Sequence, residues 1–175
     1  MADHVVPHAH GAPSLDRGLL QVYLNDHLAG SVAGLHRMRR TARTLARTPV
    51  GGDLDAIADE IEGEQAELRA IIAGLDMPES RVKQMATWAG EKVARLKANG
   101  RLGRHSPMTP LLEVELLRSA VMGKRGLWQT LADLAPSIGL DASRPSGLLV
   151  QTDRQIERLD RVHEHVRVRA LRARA

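Results

Sequence analysis

The stretch Asp53–Leu75, DLDAIADEIEGEQAELRAIIAGL, decides the fold. Leu54, Ile57, Ile61, Leu68, Ile71, Ile72 and Leu75 recur at intervals of three and four residues. At about 100° per residue, that spacing puts all of them on one face of a helix. No part of the stretch alternates as a half-buried strand does. One residue interrupts the aliphatic stripe: Glu64 falls near its centre, with Glu60 and Glu67 at its edges. The stretch therefore specifies a helix that turns a carboxylate toward the side it buries.

Upstream, Ser14 is suited to N-cap a first helix that runs to about Leu45 and is ended by TPVGGD. Asp53 is read as the cap of the second helix, over 54–75. Downstream, DMPES starts a third, shorter helix at Pro78 that runs to NGRLG, with Val82, Met85, Ala89, Val93 and Leu96 as its stripe. Pro110 opens a fourth helix ending near Asp133, APSIGLDASRPSG is a loop, and a fifth helix covers about 147–172. The expected fold is all-α: an up-down helical bundle of four principal helices, with the shorter one between the second and fourth. Residues 14–175 form one domain on this reading. Residues 1–13, with His4, His8 and His10 among Pro, Gly and Ala, form a disordered tail.

Composition narrows the function classes. The 175 residues include no cysteine, which excludes disulfides, thiolate nucleophiles and zinc–cysteine sites. Tyr23, Trp88 and Trp128 are the only aromatic residues, so the core is aliphatic. No apolar run reaches the roughly eighteen residues of a membrane span, and the first residues lack the pattern of a signal peptide. A cytoplasmic protein without membrane contact is expected. The net charge of +4 is carried mostly by arginine, clustered at HRMRRTAR (36–43) and RVHEHVRVRALRARA (161–175). The scarcity of stacking aromatics and of any recognition motif argues against nucleic acid as the partner. No phosphate loop, HExxH or nucleophile elbow is present either.

What remains is a set of polar residues on faces that should be dry. His27 lies within the first helix's stripe of Leu20, Leu24, Leu28, Leu35 and Met38, while Asn25 and Asp26 point away from it or to its margin. Gly30 and Gly34 thin the same side, either for close packing or to leave a functional gap. Glu113 and Lys124 fall among Val114, Leu117, Val121 and Trp128, and His163, like Gln155, falls among Ile156, Leu159, Val162 and Val166. Buried ionisable groups pair, neutralise or bind metal. His27, Glu64, Glu113, Lys124 and His163 are thus candidates for one shared polar layer.

One inward carboxylate or histidine per main helix resembles the ferritin-like family, which holds two metals with a Glu on each of two helices and Glu-x-x-His on the others. Here NDH supplies Asp26 and His27, EQAE supplies Glu64 to Glu67, the fourth helix supplies Glu113, and DRVH runs from Asp160 to His163. The resemblance implies an iron or manganese site from Glu60, Glu64, Glu113, His163 and His27, with an oxidase-like or storage role. Spacing along the helices gives a different grouping. Lys124 lies about 16 Å beyond Glu113 along its helix and closer to the level of Glu64, which points to a lysine–carboxylate pair. The leading expectation is a non-catalytic bundle built around that charged network. It would bind a protein partner, a small ligand or a second copy of the chain, without a cofactor.

Overall fold

The computed structural model describes residues 14–79 and 108–172. Four helices fill them: α1 (Arg17–Leu45), α2 (Gly51–Gly74), α3 (Met108–Ile138) and α4 (Ser143–Ala170), with no strand among the described residues. The chain is an all-α bundle. None of these helices is long and apolar enough to cross a membrane.

Helix ends follow local chemistry more closely than the pattern of apolar residues suggests. Asp16, not Ser14, caps α1, its carboxylate accepting from Leu19 N at 3.0 Å. After Leu45, Thr48 turns back to donate its hydroxyl to the Leu45 carbonyl at 2.6 Å. The chain then folds so tightly that a Cβ on Gly51 would lie 2.7 Å from that same oxygen. That close approach lets α2 begin at Gly51, which places Asp53 in its first turn rather than at the cap. α3 already includes Met108, ahead of Pro110, and continues past Asp133 through Pro136 to Ile138. The gain there is apolar: Leu134 and Ile138 pack on the core, and Ala135 is buried. Gly139 then takes φ +66°, and Leu140 N donates to Ala135 O at 3.0 Å, a Schellman stop. The expected loop shrinks to a tight turn, and α4 starts at Ser143 instead of 147. Asn25, expected to point away from the stripe or to its margin, is buried; its amide donates to Gln21 O at 2.9 Å and Pro78 O at 3.3 Å. Pro78 and Glu79 are not helical. The remainder of the expected shorter helix, and the tail over 1–13, lie outside the described residues.

Cross-helix contacts fix the topology. Arg39 pairs with Glu62 across α1–α2, Arg37 with Glu113 across α1–α3, Arg125 with Asp153 across α3–α4, and Arg158 with Glu60 across α2–α4. Second contacts set the directions: Arg17 reaches Leu75 O, Tyr23 meets Thr130, Arg118 meets Asp160, and Arg144 meets Glu67. Every adjacent pair is antiparallel, in the ring α1–α2–α4–α3. It follows that α2 and α3 run the same way across the diagonal, and α2 ends at the opposite end of the bundle from where α3 begins.

The core has two aliphatic halves. One gathers Met38, Leu54, Ile57, Leu117 and Leu159; the other gathers Leu24, Leu68, Ile72, Trp128 and Leu131. Along α2 the boundary between them falls between Ile61 and Leu68, at Glu64 and Gln65.

Candidate functional site

Glu64 is 3% exposed, and its carboxylate is fully engaged. One oxygen accepts from the Lys124 ammonium; the other accepts from Gln151 Nε2 at 2.9 Å and Gln155 Nε2 at 2.8 Å. Gln155, with no exposed surface, is the hub. Its amide nitrogen also donates to Glu60 at 2.9 Å, and its oxygen accepts from Lys124. Arg158 closes the far side, donating to Glu60 at 2.8 Å. The α4 residues Gln151, Gln155 and Arg158 are spaced four and three apart, so they line one edge of that helix facing Glu60 and Glu64. Two carboxylates meet two cations, and the network is neutral. Burial pushes the Lys124 ammonium below the usual lysine range, against a pull upward from Glu64 and Glu60.

Three helices supply this layer; α1 supplies none of it. Among the small residues of α1 near this level are Gly30, exposed, and Gly34, half-buried, and a Cβ on either would meet nothing within 4 Å. The resulting groove has a volume of about 990 Å³ and runs between α1 and α3, where Gly123 is equally unobstructed, down to Glu64, Gln65 and Lys124. Its lining is mainly apolar, and its size is at the upper end for a small-molecule pocket, about 300–1,000 Å³.

His27 stands at the side of this groove, its ring edge-on to Tyr23 with centroids 4.6 Å apart. Burial pushes its imidazole below the usual histidine range, partly offset by Asp26. A histidine that takes up a proton less readily when folded stabilises the fold above its unfolded value, about 6.5. That contribution is lost as pH falls through the lower folded value. His27→Gln is therefore expected to flatten the decline of the urea midpoint below about pH 6.5. Parallel midpoint-versus-pH curves for the two proteins would show that His27 does not carry the effect.

The structure divides the five sequence-derived candidates. Glu64 and Lys124 come together, and Glu60 joins them through Gln155. Glu113 does not: it sits toward the start of α3, bound by Arg37 at 2.9 Å and Arg40 at 3.0 Å. His163 lies two turns beyond Gln155, about 12 Å along α4, with Glu115 Oε1 at 3.4 Å from its Nε2. It lines a separate pocket of about 460 Å³ with Arg118 and Asp160. His27 lines the groove without reaching the charged pair by a hydrogen bond. The residues do not fit a metal pair, because Glu64 faces an ammonium and Glu113 faces two guanidiniums. Among the described residues, no three His, Asp or Glu side chains converge to hold an ion. Gln151, Arg158 and Gln65 were missed because each sits at the margin of its stripe; Gln155 carried a signal, an amide inside an aliphatic run.

No family model, curated protein or solved structure matches the chain.

Proposed function

We propose that this chain is a non-catalytic helical bundle, ferritin-like in kind, that binds a small ligand in the groove beside Gly30 and Gly34. The observation that carries the reading is the gap itself. It is a mainly apolar cleft of about 990 Å³ between α1 and α3, and Gly30 and Gly34 in its α1 wall cost that helix roughly 1 kcal/mol each relative to alanine. The ferritin-like comparison draws support from the helix directions. With α2 and α3 parallel across the diagonal, the helix directions are those of the one-crossover bundles. A binding role is favoured over a catalytic one by the charge network. Lys124, Glu64, Glu60 and Arg158 engage one another, and among the described residues both serines of the groove, Ser31 and Ser119, donate to backbone carbonyls of their own helices rather than to a base.

Gly34→Leu tests this directly, since a leucine there enters open space. The variant is expected to gain stability, by up to about 1 kcal/mol from helix propensity. It should also lose at least tenfold in affinity for the neutral apolar dye N-phenyl-1-naphthylamine, followed by fluorescence. Equal dye binding by the two proteins, or none by the wild type, would overturn the reading.

A further inference from the structure

The imidazole of His27 is held in the wall of the groove with its polar atoms uncommitted. The residue is half-buried and makes no hydrogen bond among the described residues. Neither ring nitrogen is sealed from solvent, as the Gln65 amide and Trp128 indole nitrogens are. The ring packs edge-on against Tyr23, whose own hydroxyl donates to Thr130 Oγ1 at 3.3 Å. Its carbon frame is thus anchored while its nitrogens stay open. Other polar groups of the lining are occupied or turned to water. Ser31 and Ser119 donate to the Leu28 and Glu115 carbonyls, Lys124 and Glu64 engage each other, and Asp26 and His36 are exposed. His27, Gly30 and Gly34 are spaced three and four apart, so the imidazole shares the face of α1 that the glycines thin.

A neutral imidazole carries one N–H donor and one bare nitrogen that accepts. Burial holds His27 below the usual histidine range, so the ring is neutral at neutral pH. A hydroxyl both donates and accepts, and so meets whichever nitrogen faces it. A carbonyl serves only the N–H, and a hydrocarbon serves neither. The charge at the base of the groove excludes a further class. Lys124 is already committed to Glu64 and Gln155 within a network of no net charge. An anionic ligand would lose its hydration beside Glu64 without gaining a free counter-charge. Resting on the small-ligand reading above, we infer that the groove accepts a neutral, largely apolar molecule bearing a hydroxyl group, which the His27 imidazole binds.

Matched probes separate the possibilities: 2-naphthol, its isostere 2-methylnaphthalene in which a methyl replaces the hydroxyl, and the anion 2-naphthoate. Affinities for the full-length protein are read from the probes' own fluorescence. Naphthol is expected to bind more tightly than methylnaphthalene, although the methyl compound is the more hydrophobic. His27→Phe should weaken naphthol at least about fivefold, the worth of one hydrogen bond, and leave methylnaphthalene unchanged. His27→Gln, which keeps an acceptor, should retain part of the preference. A pH series on the wild type keeps the test informative if His27→Phe folds poorly. The other titratable groups of the groove are Tyr23, Asp26 and His36 on α1, Glu64 on α2 and Lys124 on α3. As pH falls below about 6.5, His27 takes up a proton and loses its bare nitrogen, so the preference for naphthol should shrink while methylnaphthalene affinity holds. Equal affinity for the two, with Gly34→Leu still blocking both, would overturn hydroxyl selection and leave the ligand groove standing. A naphthol preference that survives His27→Phe, or that does not change with pH, would overturn the role of His27. Tighter binding of 2-naphthoate would overturn the neutral-ligand assignment. Failure of all three probes to bind would remove both readings together.

Discussion

Lys124→Met is expected to destabilise the protein by about 3–5 kcal/mol, the loss that follows when one member of a buried ion pair is removed. Methionine matches the lysine stem in size, so packing changes little. What changes is Glu64, 3% exposed, whose carboxylate loses its only cationic partner and keeps only amide donors. Glu64→Leu produces the mirror defect by stranding the ammonium. Combining them removes both charges and returns the middle of the bundle to the aliphatic character of its two flanking halves. The double variant should therefore recover much of either loss, with a coupling of about 0.5–3 kcal/mol in a urea double-mutant cycle. Recovery will be incomplete, because Gln155 and Gln151 were positioned for the carboxylate and then lack it. Additive losses would mean that the two side chains act independently.

That pair was legible in the sequence for a definite reason. Glu64 and Lys124 each sit inside an aliphatic stripe on a long helix, and rise per residue sets their levels well enough to align them. Glu113 and His163 satisfied the same stripe criterion and belong elsewhere. Whether two inward residues meet depends on which helices are neighbours, and the ring α1–α2–α4–α3 turns Glu113 toward α1 and its arginines. Periodicity on a single helix carries no information about that order. Helix ends show the same limit: Pro136 reads as a stop, yet burial of Leu134, Ala135 and Ile138 carries α3 beyond it. The glycines of α1 were ambiguous in the sequence, equally suited to close packing or to an opening. Only the placement of neighbours distinguishes these, and none comes within reach of Gly30 or Gly34.

Gln155→Glu is the change that most directly exposes how the layer is held together. The amide donates to Glu60 and to Glu64 while accepting from Lys124, so one side chain insulates two carboxylates and completes the lysine's shell. A glutamate of the same shape keeps the acceptor and loses both donors. It also adds a third carboxylate where Lys124 and Arg158 balanced two. Two hydrogen bonds to charged groups are worth about 1.5–3 kcal/mol each, so at neutral pH the loss should be at least about 3 kcal/mol. The defect is pH-dependent, and its sign follows from like-charge repulsion, which raises the folded-state pKa of the added carboxyl. A raised folded value means that stability is retained below the unfolded pKa, about 4.3, and is lost as pH rises through the folded one. Once protonated, the new carboxyl regains a donor for one of its neighbours. The gap in urea midpoint between wild type and variant should thus narrow on acidification and widen toward neutrality. A gap that does not vary with pH would mean that the side chain at 155 does not stand between the two carboxylates, and the neutral network would have to be redrawn.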